Sequence, residues 1–147
     1  MPHLTVPCSD HQCLLRFNVG VTRPRANALK EARLEIPDPR PATALIDSGA
    51  SISVLDITLI RALQLTLTGS VRIHTPTTGS QSVNRLVYDI SIHLHHQDSS
   101  YVVERAVPVA AGLLRQSQEI DLLLGTDILR HCLFLLDGPA DTFLLGF

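Results

Sequence analysis

The sequence predicts an all-β domain with one or two short helices, and three observations support this. Val, Ile, Leu and Thr occur in many short runs, separated by nine prolines and eight glycines that favour turns. Residues 83–94 form a long run whose last part alternates between apolar and polar, as in a strand with one buried face. The pattern along the whole chain gives roughly eight short strands and only two short helical segments.

Size and composition indicate one globular domain. The chain has 147 residues, of which 45% are hydrophobic and 18% charged. We assign residues 14–147 to a single domain and leave residues 1–13 as a poorly patterned N-terminal segment. The net charge of −2 gives no reason to expect nucleic acid or an anionic membrane as a partner. The longest apolar stretches, of about five residues, are too short to span a bilayer.

The cysteines and the N-terminus bear on the cellular setting. Cys8, Cys13 and Cys132 are odd in number and irregular in spacing, which does not indicate a disulfide framework. The N-terminus has no basic region followed by an apolar run, so no signal peptide is expected. The prediction is therefore a reducing, cytoplasmic setting.

In the first part of the chain, the sequence predicts strands joined by proline-rich turns. The strands are expected at residues 14–21, 32–36 and 42–46. Residues 22–30 are polar and contain Pro24, so we predict a loop there. Residues 37–41 alternate proline with polar residues and are expected to form a turn.

In the second part, two short helices are expected among further strands. Asp56 can cap a helix that ends near Leu65, and Thr126-Asp127 can cap one that ends near Cys132. Leu86, Tyr88, Ile90, Ile92 and Leu94 are expected on one face of a long strand. The remaining expected elements are strands at 71–75, 83–94, 101–109, 120–124, 134–136 and 142–147, and turns at 76–80, 95–100 and 137–139.

The most informative stretch is Leu-Ile-Asp-Ser-Gly-Ala-Ser at residues 45–51. An apolar strand runs into Asp47, and a hydroxyl residue, a glycine and two small residues follow. Aspartic proteases present a catalytic carboxylate in this way. The alternative is an ordinary Asp-Ser-Gly surface turn, but such a turn does not need a buried approach strand. The motif occurs once, whereas the chemistry needs two carboxylates.

A second signal is the apolar run at residues 120–124, which stops at Gly125 and enters a helix beginning near Asp127. Alone it could be an ordinary buried strand and helix. Its place after the Asp47 loop, with a hairpin between the two, makes the combination more specific.

Three segments, residues 44–51, 73–79 and 123–129, resemble the retropepsin-like aspartic proteases, the single-domain relatives of retroviral proteases. The resemblance extends over about residues 42–147. It implies a closed β-barrel with a flap hairpin, no cofactor, and a homodimer that cleaves peptides.

The resemblance also implies roles for individual residues. Asp47 would be the catalytic aspartate, one from each of two subunits. The supporting positions would be Ser48 (the interlocking hydroxyl), Gly49 (the substrate backbone), Ala50 beside it, Gly125 under the loop, and Asp127, which anchors the following helix. The substrate-binding flap would comprise Thr75, Pro76, Thr77, Thr78, Gly79 and Ser80. Residues 142–147 would contribute to the dimer interface.

The chain also departs from the retroviral pattern. Ser48 stands where threonine is usual, and Thr126 stands where arginine often makes an ionic dimer contact. Pro76 should stiffen the flap. The segment at residues 13–40 is longer than a minimal viral protease needs.

Two clusters suggest metal ligands, but we expect no metal site. His93, His95 and His96 have no cysteine or carboxylate at a convincing spacing. Cys8 and Cys13, with a histidine between them, are better read as free thiols near a loose terminus.

Two other functions remain open at this point. One is a catalytically inactive module on the same fold that binds peptide or dimerises. The other is an unrelated β-barrel that binds small ligands, with Asp47 on an exposed turn.

Overall fold

The computed structural model describes residues 2–74, 79–96, 99–116 and 119–147. Within these residues the chain forms mainly β-strands, with three short helices. The strands are β1 (His3–Pro7), β2 (Leu14–Gly20), β3 (Arg40–Ile46), β4 (Val54–Asp56), β5 (Leu67–Ile73), β6 (Val83–His96), β7 (Ser99–Gly112), β8 (Leu122–Leu124), β9 (Leu133–Asp137) and β10 (Thr142–Gly146). The helices are α1 (Arg23–Glu31), α2 (Ile57–Ala62) and α3 (Thr126–Leu129).

Six strands close into a barrel in the order β2-β3-β8-β4-β7-β6, and β6 pairs back with β2. The β3–β8 and β4–β7 pairs are parallel, and the others are antiparallel. Strand β5 pairs only with β6, so the β5–β6 hairpin extends beyond the barrel. The expected all-β class is confirmed.

The three remaining strands form a second, antiparallel sheet in the order β1-β10-β9, which we call the terminal sheet. Strand β1 lies within residues 1–13, where the sequence shows little pattern. On one face, Leu4, Phe143 and Leu145 are buried in the core. This sheet therefore closes one side of the barrel with its inner face.

The core is mainly aliphatic, as expected for a chain without tryptophan, and it also buries Phe17 and Phe143. Leu55, Ile90 and Leu122 from the barrel and Leu63 after α2 are almost completely inaccessible to solvent. Burial of such side chains contributes about 1.5–3 kcal/mol each and dominates the stability of the fold. None of the helices in the described part of the chain is long and apolar enough to cross a membrane.

The loop predicted at residues 22–30 is wrong, because this segment forms α1. The Thr22 hydroxyl accepts a hydrogen bond from the Arg25 amide at 3.4 Å, and Pro24 lies in the first turn, where its missing N–H costs nothing. The polar sequence suits a helix that buries only Leu29.

The strand predicted at residues 32–36 is also wrong. This segment has no regular structure, and Leu34 and Ile36 are 61% and 41% exposed. Its apolar alternation has no neighbouring strand to pack against.

Two smaller expectations need correction. The N-cap of α3 is Gly125, not Thr126-Asp127, and it makes no side-chain capping bond. On β6, Ile90, Ile92 and Leu94 are buried but Leu86 is 49% exposed. Of the turn predicted at residues 95–100, residues 97–98 lie outside the described residues, and the flanking ones belong to β6 and β7.

Candidate active site

Asp47 lies at the end of two parallel strands. Ile46 at the end of β3 is in register with Leu124 at the end of β8, and the Asp47 amide donates to the Leu124 carbonyl at 3.0 Å. The strands before this point are buried, whereas Asp47 itself is half-buried. The fold thus presents one carboxylate at the edge of the barrel on a rigid base.

The loop after Asp47 orients its carboxylate. The Gly49 amide donates to Asp47 Oδ1 at 2.8 Å, and the Ala50 amide donates to the Asp47 carbonyl at 3.1 Å. A Cβ at Gly49 would lie 3.2 Å from Asp47 Oδ1, which is tighter than ordinary contacts. The side chain of Ser48 is exposed, so this chain alone leaves its hydroxyl at the surface.

Gly125 packs directly beneath this loop. A Cβ at Gly125 would lie 2.8 Å from the Ala50 carbonyl oxygen and 3.0 Å from the Ile52 carbonyl carbon. Both are backbone atoms, so neither can move aside as a flexible side chain would. Only glycine fits this position without displacing the loop.

Thr126 holds the loop from the same side. Its amide and its hydroxyl both donate to the Ala50 carbonyl, at 2.8 Å and 3.2 Å. Thr126 therefore bonds to the Asp47 loop of its own chain.

Ser53 and Asp127 form a buried clamp between the loop and α3. The Ser53 hydroxyl donates to Asp127 Oδ1 at 2.7 Å and accepts from the Gly125 amide at 2.9 Å. The Ser53 amide donates to Asp127 Oδ2 at 3.0 Å. Ser53 is completely buried. These bonds fix the position of Gly125, and through it the position of the Asp47 loop.

Ser53 was not predicted as a site residue from the sequence. In the sequence it is a lone serine between Ile52 and Val54, two apolar residues that were expected to pack in the core. Its partner, Asp127, is 74 residues away along the chain. A buried hydroxyl needs such a partner, but the pattern of one sequence does not reveal which one it is.

Asp56 has a structural role away from this loop. It is 2% exposed, and it accepts bonds from the Thr58 amide and hydroxyl at 2.9 Å and 2.6 Å and from the Arg115 amide at 2.8 Å. Burial alone would raise the pKa of Asp56, but these bonds outweigh it and hold the pKa below the ordinary value of 3.8. Asp56 caps α2, as the sequence predicted.

The structure places only part of the predicted flap. Thr75, Pro76, Thr77 and Thr78 lie outside the described residues. Gly79, with φ of +59°, and Ser80 form an exposed turn at the end of the β5–β6 hairpin, where Ile73 pairs with Val83.

Within the histidine cluster, His93 is held by a local hydrogen bond. The Ser91 hydroxyl donates to the Val21 carbonyl at 2.9 Å, so His93 Nε2, at 2.8 Å from that hydroxyl, must donate to it. Burial, with a smaller effect of His95, lowers the pKa of His93. A ring nitrogen that donates in this way is not available as a metal ligand.

Comparisons with known proteins agree with this geometry. The sequence profile of the family described as aspartyl protease matches residues 32–128, which is more than half of the chain. Among solved structures, the fold is similar to a retropepsin-like aspartic protease from Rickettsia conorii, with a TM-score of 0.54 and 16% sequence identity. The match covers 99% of this chain and 91% of that one. A search of curated protein sequences found no match.

The fold and the Asp47 loop define an aspartic peptidase with a retropepsin-like barrel. The chain belongs to the aspartyl protease family. The alternative function of an unrelated β-barrel that binds small ligands is therefore wrong.

Proposed function

We propose that this peptidase acts as a homodimer in which two Asp47 carboxylates, one from each subunit, activate a water molecule. The observation that carries the proposal is the single Asp-Ser-Gly loop of a chain whose fold presents one carboxylate at the edge of the barrel. A two-fold axis between two such loops would supply the second carboxylate.

The chemistry follows from two carboxyl groups that share one proton. An ionised Asp47 takes a proton from water as the water oxygen attacks the peptide carbonyl carbon. The partner's Asp47, protonated, donates to the carbonyl oxygen. As the resulting tetrahedral diol collapses, a proton moves to the amide nitrogen, the C–N bond breaks, and a carboxylic acid and an amine leave. Two adjacent carboxylates cannot both ionise cheaply, so the pair releases its protons in two separated steps.

The structure of one chain supports this arrangement in three ways. The Gly49 amide orients Asp47 through Oδ1, and Gly125 holds the loop from beneath. Ser48 is exposed, so its hydroxyl would be accessible to backbone groups of a second loop. The contacts of Gly49 and Gly125 hold the Asp47 loop without supplying a second carboxylate.

We assign the dimer interface to the outer face and free edge of the terminal sheet. Residues 142–147 lie in or next to β10, at the centre of this sheet. Strand β9 lies at the edge, and its Leu133, Leu135 and Leu136 are 52%, 53% and 57% exposed. An apolar edge strand is a template for pairing with another chain, and a second copy would cover these leucines.

The proposed substrates are extended peptides that lie between the flap (Thr75 to Ser80) and the Asp47 loop, paired through backbone hydrogen bonds. Leu45, Ile52, Val54 and Ile73, which flank the Asp47 loop and precede the flap in the sequence, are half-buried. We therefore expect apolar side chains on both sides of the cleaved bond.

The test is peptide-library cleavage by the wild-type protein and the Asp47→Asn variant across acidic to neutral pH. The wild type should cleave with a bell-shaped pH profile. Asp47→Asn should lose cleavage and keep the wild-type circular dichroism spectrum. Full activity in that variant would disprove the role of Asp47. A wild-type protein that dimerises and binds peptide but cleaves nothing would favour the inactive binding module.

A further inference from the structure

The connection from β1 in the terminal sheet to β2 in the barrel contains a tight two-residue turn. Ser9 and Gln12 exchange two backbone hydrogen bonds, each of 2.9 Å. Asp10 and His11 between them have φ angles of +49° and +61°. Positive φ at both central residues is the mark of a type I′ turn, whose twist suits the two strands that it joins.

The two residues just outside this turn are Cys8 and Cys13. Ser9 and Gln12 form an isolated bridge, so the two cysteines flank the narrow end of the turn rather than a continuous ladder. What places them within reach of a disulfide is the short separation of their sulfur atoms. The two thiols are free, and their Sγ atoms are 4.0 Å apart.

We propose that Cys8 and Cys13 form a reversible dithiol–disulfide site, oxidised by low-molecular-weight disulfides. No large movement of the backbone is needed, because rotation of the two side chains brings the sulfur atoms together. The site is independent of the peptidase chemistry, since neither thiol belongs to the Asp47 loop.

The exchange proceeds in two balanced steps. The Cys8 thiolate attacks a sulfur of the small disulfide, which releases one small thiolate and leaves a mixed disulfide on Cys8. Cys13 then loses its proton to solvent and attacks Cys8 Sγ, and the second small thiolate leaves. The small disulfide gains the two electrons that the protein thiols lose.

The environment of Cys13 supports this order of attack. Burial, followed by the hydrogen bond and the charge of Cys8, raises the pKa of Cys13 to about 11. Cys13 is therefore a protonated thiol at neutral pH and a poor first nucleophile. It can still act as the resolving thiol, because the mixed disulfide on Cys8 is held beside it.

A metal site is a weaker interpretation of the same residues. Among the described residues, no three His, Cys, Asp or Glu side chains are grouped as metal ligands. His11 is 93% exposed, and its Nδ1 lies 3.6 Å from Asp141 Oδ1.

The disulfide would connect the terminal sheet to the barrel. The Cys8 amide donates to the Asp141 carbonyl, next to β10, at 2.8 Å. The Cys13 carbonyl accepts from the Ile46 amide, one residue before Asp47, at 2.9 Å. Oxidation should therefore slow hydrogen exchange at the amides of Cys8 and Ile46.

The experiment treats the full-length reduced protein with oxidised glutathione and follows it by intact mass, peptide mapping and amide exchange. The wild type should lose two hydrogen atoms and show a Cys8–Cys13 link, with the Cys132 thiol unmodified. Cys13→Ser should instead retain one glutathione on Cys8. Cys8→Ser should form no internal link, and Cys132→Ser, the matched control, should form the link as the wild type does.

Several results would overturn the proposal, and none of them depends on peptide cleavage. In the first, the wild-type protein carries only glutathione adducts and no internal link. In the second, the Cys13→Ser variant carries no adduct on Cys8. In the third, the Cys8–Cys13 link forms but reduced glutathione does not reduce it. Unchanged exchange at Cys8 and Ile46 after linking would contradict the connection between the two sheets.

Discussion

Gly125 packs so closely against the Asp47 loop that its lack of a side chain is a requirement of the site. The contacts that a Cβ would make are with backbone atoms of Ala50 and Ile52. Ser53 and Asp127 then hold Gly125 from the other side through buried hydrogen bonds. The position of the Asp47 loop thus depends on a few residues that lie outside the loop itself.

We predict that Gly125→Ala lowers the free energy of unfolding by about 1–3 kcal/mol, as overpacking in a closed site does. It should also reduce cleavage, because the Asp47 loop must shift to admit the methyl group. Urea unfolding and peptide cleavage measure the two effects. Gly138→Ala is the control, since a Cβ there meets nothing within 4 Å. Equal stability of the two variants would contradict this packing.

At the scale of single residues, the motifs around Asp47 and Gly125 were readable from the sequence, and the Ser53 clamp was not. Asp47 and Gly125 each end an apolar run, which is a local pattern. Ser53 depends on a partner 74 residues away, and that pairing exists only after the chain folds.

The elements around the site differ in how much local sequence determines them. Helix α2 begins at Ile57, after its N-cap Asp56, and the capping residue and apolar spacing predicted this start correctly. Helix α1 was missed because its polar sequence and Pro24 resemble a loop, although Thr22 and Pro24 are typical of a helix start. Strand β1 was missed because its partner, β10, lies at the other end of the chain.

We predict that the cap formed by Asp56 makes stability depend on acidity. Because the pKa of Asp56 is lower in the folded chain than the ordinary 3.8, its stabilisation is complete above that value and is lost as the pH falls below it. Asp56→Asn should cost about 1–3 kcal/mol at neutral pH, since its amide group would face the Arg115 N–H.

Urea unfolding of wild type and Asp56→Asn at neutral pH and below pH 3.8 measures this difference. The difference in the free energy of unfolding between the two proteins should be smaller in acid than at neutral pH. Asp38→Asn is the control, because Asp38 is exposed. If this difference in unfolding free energy does not change with pH, the ionised form of Asp56 contributes nothing to stability.

Within the described residues, the molecule is a six-stranded barrel with the Asp47 carboxylate at one edge and the terminal sheet at its side. The all-β class could be predicted because strand alternation and turn residues are patterns among neighbouring residues in the sequence. The closure of β2 on β6 and the terminal sheet could not, because both join distant segments. The proposed second copy is inferred from the single Asp47 motif, because the proposed chemistry needs two carboxylates.

We predict that Leu135→Lys weakens the dimer. Leu135 is 53% exposed in one chain, so the variant should fold normally. A symmetric dimer would lose two leucine contacts, which should raise the dissociation constant by about 100-fold. Sedimentation velocity and the dependence of activity on concentration measure this change.

Leu34→Lys is the matched control, because Leu34 is 61% exposed and lies outside the terminal sheet. If both variants dimerise like the wild type, the interface is not at β9.

The most direct test of the two-carboxylate site is to mix the wild type with Asp47→Asn. The wild type is kept at a fixed concentration at which it is fully dimeric, increasing amounts of the variant are added, and cleavage is measured once the subunits have exchanged. With random pairing, an equal amount of variant should halve the cleavage rate to about 50%, because half of the wild-type chains then lack a second Asp47. An unchanged rate at every ratio would show that one chain suffices and would contradict the proposed homodimeric site.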